Sequence, residues 1–95
     1  MPIRRWTGLN FPYGVAIGDY DNDGLNDIAF TEYYGGRATM YKSDGIRVVK
    51  QWTGLTTPYG VAIGDYNNDG QNDIALVEVD ANRVTVYKSD GTTII

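Results

Sequence analysis

Shifting the chain by 46 residues places Trp6 on Trp52, Pro12 on Pro58, Asp19 on Asp65, Tyr41 on Tyr87 and Gly45 on Gly91. Aligned without gaps, residues 3–48 and 49–94 agree at 28 of 46 positions. Two near-copies of one short unit constrain the fold strongly, because each unit must bury its apolar surface against a neighbour like itself. The 95 residues therefore read as one module, 1–95, built of repeat one (3–48) and repeat two (49–94) with no linker between them. A second independent core does not fit in so short a chain.

Turn residues divide each unit into four short segments rich in Val, Ile, Tyr and Thr, the composition of strands. In repeat one these are 15–20, 28–33, 37–42 and 46–52, separated by an Asp/Asn/Gly loop, by Gly35-Gly36 and by Ser43-Asp44-Gly45. Repeat two follows suit, with Ala81-Asn82 in place of the glycine pair and Asp90-Gly91 after its third segment. Twelve Gly, three Pro, eight Tyr and two Trp suit a turn-rich all-β chain rather than long helices.

Four antiparallel strands in 46 residues match the size of a propeller blade, so the sequence predicts two four-stranded antiparallel propeller blades per chain. Apolar side chains occur at both parities, Val15 and Ile17 against Ala16 and Tyr20, so both faces of each sheet are expected to pack on something. Ala16, Gly18, Ala62 and Gly64 suit the crowded centre where inner strands converge. Closed propellers have roughly four to eight blades, more than this chain encodes. Residues 92–95 align with the start of the fourth segment and 3–6 with its end, so one copy is expected to complete the cut blade of the next. The expected assembly is a closed homo-oligomer, a ring of about six or eight blades from three or four chains. A fragment of a longer chain would carry the same cut strand, and near-identical repeats also fit a designed one.

Absent residue types narrow the chemistry. Without Cys there is no disulfide framework, thiolate zinc site or cysteine nucleophile, and without His the commonest general base is missing. No run approaches 18 apolar residues, and MPIRRWTG leads into a Gly/Pro turn rather than an apolar signal core, so no membrane partner is expected. The net charge of -4 is local. Seven of twelve acids are Asp19, Asp21, Asp23, Asp27, Asp65, Asp69 and Asp73; the eight basic residues against the five remaining acids would leave +3. Arg4-Arg5 is too short a run for the basic stripe that nucleic acid requires, and no nucleic-acid partner is expected.

The sharpest chemistry lies in Asp19-Tyr20-Asp21-Asn22-Asp23-Gly24-Leu25-Asn26-Asp27 and Asp65-Tyr66-Asn67-Asn68-Asp69-Gly70-Gln71-Asn72-Asp73. Oxygen-bearing side chains occupy the first, third, fifth and ninth places, with Gly at the sixth to relieve a sharp turn. Hard oxygen donors in a flexible loop select Ca²⁺ over the smaller, strictly octahedral Mg²⁺. The expected ligands are Asp19, Asp21, Asp23, the Leu25 carbonyl and Asp27 in loop one, and Asp65, Asn67, Asp69, the Gln71 carbonyl and Asp73 in loop two. One Ca²⁺ per repeat, two per chain, would bring the formal charge from -4 to zero. Asn67 stands where loop one has Asp21, so loop two is expected to bind more weakly. An EF-hand is excluded, because its twelfth place needs a bidentate Glu where Phe30 and Leu76 stand, and the flanks VAIGDY and DIAFTEY read as strands.

These loops, with Pro12-Tyr13-Gly14-Val15-Ala16-Ile17-Gly18 and its partner at 58–64, resemble the FG-GAP and VCBS-type repeats of integrin α-subunit propellers and related lectins and polysaccharide lyases. Pro-Tyr-Gly stands where that family often has Phe-Gly, and two blades replace its usual seven or so. The resemblance implies a calcium-stabilised propeller, extracellular if natural, with ligands on the face opposite the metal loops. Here that face would carry segments 7–13, 33–37, 53–59 and 79–83, whose aromatic residues suit a glycan in a lectin. Phe11, Tyr33 and Tyr34 lack aromatic counterparts in repeat two. No catalytic constellation beyond the calcium loops offers a base for a lyase, so the chain is not expected to be an enzyme.

Overall fold

A computed structural model describes residues 4–95 and shows an all-β chain, with no helix among the described residues. Residue 3, where repeat one begins, lies outside the described residues. The strands are β1 (Pro12–Gly18), β2 (Asp27–Glu32), β3 (Arg37–Tyr41), β4 (Val48–Trp52), β5 (Pro58–Gly64), β6 (Asp73–Glu78) and β7 (Arg83–Tyr87). They form two antiparallel sheets, β1-β2-β3-β4 and β5-β6-β7. The fourth strand expected of repeat two is reduced to a bridge between Tyr87 and Ile94.

Strand edges depart from the sequence reading most at β1, while β4 starts at Val48 rather than residue 46 and the ends of β2 and β3 shift by a single residue. β1 begins at Pro12 rather than residue 15, because Pro12 pairs with Glu32 across a bulge that Gly14 accommodates, and β5 repeats this bulge between Pro58 and Val61. β1 also stops at Gly18. The Tyr20 N–H, which would have continued the ladder, donates instead to Asp27 Oδ2 (2.9 Å) and swings its ring into the core. The β2–β3 turn needs a left-handed residue, supplied by Gly36 (φ 63°) in repeat one and Asn82 (φ 53°) in repeat two, which is why Ala-Asn can replace Gly-Gly.

The two sheets stack through one face each. Tyr20, Ala29, Ala38, Met40 and Trp52 of the first meet Ile74 and Leu76 of the second, and Val61, Ile63 and Tyr87 pack against this cluster. The inner strands approach closely: a Cβ at Gly18 would lie 2.9 Å from Ile63 Cγ2, and one at Gly14 would collide with the Tyr59 carbonyl. The other two faces are not covered as expected of a blade between blades. Val15 (63%) and Ile17 (67%) are exposed on the first sheet and Val84 (64%) on the second, because two sheets share only one seam.

Candidate metal centre

Each Asp-rich loop joins the first strand of its sheet to the second, so antiparallel pairing brings its two ends together at Gly18–Asp27 and Gly64–Asp73. Local hydrogen bonding then fixes the turn. The Asp19 carboxylate accepts from the Asp23 and Gly24 N–H groups (3.1 and 2.9 Å), and Asp23 Oδ1 accepts from Leu25 N–H (2.9 Å). Loop two repeats this, Asp65 accepting from Asp69 and Gly70 (3.1 and 2.8 Å) and Asp69 from Gln71 (2.9 Å). Asn22 and Asn68 (both φ 60°), with Gly24 and Gly70 (φ 88° and 89°), take the left-handed conformations that such a tight loop requires.

The carboxylates converge. Asp19, Asp21 and Asp23 place oxygens within 4.8 Å of one another, as do Asp65, Asp69 and Asp73. In each loop the ninth-place Asp is buried, at 1% exposure. Asp27 Oδ2 accepts from Tyr20 and Asp21 N–H, and Asp73 Oδ2 accepts from Tyr66 N–H. Their Oδ1 atoms, and that of Asp21, are buried without any hydrogen-bond partner. Buried carboxylate oxygens are rarely left so, since an unpaired one costs at least about 1–3 kcal/mol. Acceptor-only oxygens that lack a donor fit a hard divalent cation, so these clusters could hold one.

Charge in loop one is partly balanced from outside it. Lys42 Nζ reaches Asp21 Oδ2 (2.6 Å) and Asp23 Oδ2 (3.4 Å). Burial pulls Asp21 upward, but the Lys42 hydrogen bond and charge outweigh it and hold the carboxyl below its ordinary value. Burial, with the neighbouring Asp21 charge, raises Asp27. In loop two the Asn67 amide, oriented to satisfy its neighbours, donates to Asp69 Oδ1 (3.1 Å) and Asp65 Oδ1 (3.3 Å). The Gln71 N–H bond to its carboxylate holds Asp69 low.

Of the residues singled out in the sequence, three carboxylates come together in each loop, and Asp27 stands outside the loop-one cluster with Oδ2 tied to the backbone of Tyr20 and Asp21. Leu25 and Gln71 contribute the N–H bonds just described. Lys42 escaped the sequence reading, although antiparallel pairing of Ile28 with Tyr41 places residue 42 at the loop's mouth. Two ion pairs, each between a buried glutamate and a partly exposed arginine, also escaped it. Glu32 receives Arg37 through two bonds of 2.8 Å and the Asn10 N–H at 2.8 Å. Glu78 likewise receives Arg83 (2.9 and 3.1 Å) and the Thr56 N–H (2.8 Å). Both pairs sit at the 46-residue register.

At the opposite end of the strands, Phe11, Tyr13, Tyr33, Tyr34 and Tyr59 form a chain of ring contacts, with Phe11–Tyr34 centroids 4.9 Å apart and Tyr33–Tyr34 5.0 Å. Phe11 (52%) and Tyr34 (69%) are largely exposed. The family model for the FG-GAP-like repeat matches residues 19–76, more than half of the 95-residue chain, from the first place of loop one to beyond the last place of loop two. No curated protein matches the sequence.

Proposed function

The chain belongs to the FG-GAP-like repeat family, and from that premise we propose that it is a calcium-binding β-propeller module whose loops each hold one Ca²⁺ and whose sheets are completed by further copies of itself. The ring would comprise about six or eight blades, from three or four chains. One observation carries the metal reading: in each loop the ninth-place Asp is 1% exposed and keeps one carboxylate oxygen unpaired. The proposed ligands are Asp19, Asp21, Asp23, the Leu25 carbonyl and Asp27, then Asp65, Asn67, Asp69, the Gln71 carbonyl and Asp73. The role is structural. A cation supplies the positive charge that the buried oxygens lack, and binding is thereby coupled to folding. The protein's own residues prepare the site: backbone N–H bonds orient Asp19, Asp23, Asp65 and Asp69, and Asn67 would offer its amide oxygen to the ion.

The test is calorimetric titration of the metal-free protein with Ca²⁺, alone and as Asp73→Asn. Two sites per chain in the parent and one in the variant are the expected stoichiometries. No binding heat, together with a melting temperature indifferent to chelator, would refute the metal reading.

The exposed aromatic cluster supports a second reading, a carbohydrate-binding lectin on the same scaffold, because ring faces stack on sugars and the cluster stands clear of the metal loops. Phe11→Ala with Tyr34→Ala would remove glycan retention on an array while sparing calcium binding.

A further inference from the structure

The two uncovered sheet faces are, residue for residue, the repeats of the two covered ones. At the covered seam the knobs are Val61 and Ile63 of β5, packed against the core cluster, and Ile63 sits where Gly18 has no side chain. Tyr20, 1% exposed, closes this seam by presenting its ring edge to Trp52 (centroids 6.1 Å) and donating its hydroxyl to the Lys88 carbonyl (2.6 Å). The Asn72 side chain donates across the seam to the Asp19 carbonyl (2.6 Å).

Moved by 46 residues, each part reappears without its partner. Val15 and Ile17, the counterparts of Val61 and Ile63, are 63% and 67% exposed. Gly64, the counterpart of Gly18, has nothing within 4 Å of an added Cβ. Beside it lies a hollow of about 250 Å³ lined by Ala62, Gly64, Tyr66, Asp73, Ala75 and Val86. Tyr66, the counterpart of Tyr20, is 70% exposed. Trp6 lies on Tyr41 (5.7 Å) as Trp52 lies on Tyr87 (6.2 Å).

We infer that a second copy of this chain docks head to tail on the open face of β5-β6-β7, with its Ile17 in the hollow at Gly64. This deepens the self-assembly reading and rests on it. The seam repeats the internal one: Tyr66 donates to the Lys42 carbonyl of the second copy and reaches its Trp6, and Asn26 of that copy donates to the Asp65 carbonyl. Ala38 and Met40 become Val84 and Val86, one larger and one smaller, so the filled volume is nearly conserved. One bond is not reproduced, because Thr31, whose hydroxyl donates to the Tyr59 carbonyl (2.9 Å), becomes Val77. Since the two faces differ, the contact is heterologous, and repetition generates a ring if the rotation closes.

The test uses Ile17→Asp and Gly64→Leu, which alter surfaces exposed in the single chain and so spare its own core. Static light scattering should show an oligomer for the parent chain and a single chain near 10.5 kDa for each variant alone. Equal mixing should then give a species of twice that mass, because one competent seam survives between unlike variants. Val15→Asp and Tyr66→Ala, each checked by circular dichroism, replace either variant should it fail to fold. A parent that assembles while the variants assemble equally overturns this seam and leaves self-assembly standing. Variants that separate but never pair on mixing overturn the head-to-tail arrangement, and a parent that stays a single chain overturns both readings.

Discussion

Asp27 and Asp73 each keep a buried carboxylate oxygen that no described group pairs. Each is buried with one oxygen tied to a backbone N–H and the other unpaired, and burial holds Asp27 above its ordinary carboxylate value. An amide at the same place would lack the charge while keeping an acceptor for the backbone bond. Asp27→Asn is therefore expected to raise the melting temperature of the chelated protein by roughly 4–8 °C, about 1 kcal/mol in a domain of this size. It should also abolish loop one's share of the gain on adding Ca²⁺, as differential scanning fluorimetry with and without chelator would show. A merely structural Asp would lower both melting temperatures. Lys42 argues the complementary case. Its ammonium already bonds Asp21 and Asp23, so a cation entering loop one competes with it. Lys42→Met is expected to tighten calcium at loop one about tenfold, since removing one screened contact of about 1 kcal/mol or slightly more changes affinity by that order. Titration calorimetry on Asp73→Asn, where loop one is the site left, reads the change directly.

The Glu32–Arg37 pair adds to the ladder in coupling elements. Glu32 ends β2, Arg37 opens β3, and the Asn10 N–H donated to the same carboxylate ties the segment before β1 to that hairpin. Hydrogen bonding from Arg37 outweighs burial and holds Glu32 below its ordinary value. A lowered carboxylate value in the folded state means stability fully present above the unfolded value, near pH 4.3, and lost as pH falls from there through the lower folded value. Glu32→Gln is expected to cost about 1 to 3 kcal/mol near neutral pH and to flatten the acid limb of a urea-denaturation series. The pair was legible in principle, because Glu and Arg recur five apart in both repeats, but a turn with charged flanks is also ordinary surface, and only the backbone bond at Asn10 distinguishes the two. The strands themselves were legible from their turn residues and β-branched content. Their edges were not, since β1 starts at a bulge paired with Glu32 and stops where Asp27 takes the Tyr20 N–H, both contacts distant in sequence. The carboxylate clusters followed from spacing alone. Lys42 did not, because its place depends on strand register, and neither did the left-handed Asn22 and Asn68, which in sequence look like ordinary loop polarity.

For the whole molecule, the seam between sheets is where packing, hydrogen bonding and metal loops meet. Tyr20 follows Asp19 directly, so the residue that opens loop one is held by the residue that closes the seam, while Asn72 of loop two donates to the Asp19 carbonyl. Disorder in either loop would thus be felt at the seam, and a loosened seam at the loops. Burial pushes the Tyr20 hydroxyl up to about 12, with the Asp90 and Asp73 charges acting in the same direction. The neutral phenol is the form that fits, so its stabilisation is fully present below the unfolded value near pH 10 and is lost as pH rises towards 12. Over that window the loss amounts to roughly 2 to 3 kcal/mol at about 1.4 kcal/mol per unit. Tyr20→Phe forfeits the bond to the Lys88 carbonyl, a net cost near 1 kcal/mol at neutral pH, but cannot ionise. Its unfolding free energy, measured in urea from pH 8 to 12, should start lower than the parent's and fall less steeply, so that the two curves converge. Parallel curves would mean that the hydroxyl is not what holds the sheets together in alkali, and that the seam relies on apolar contact alone.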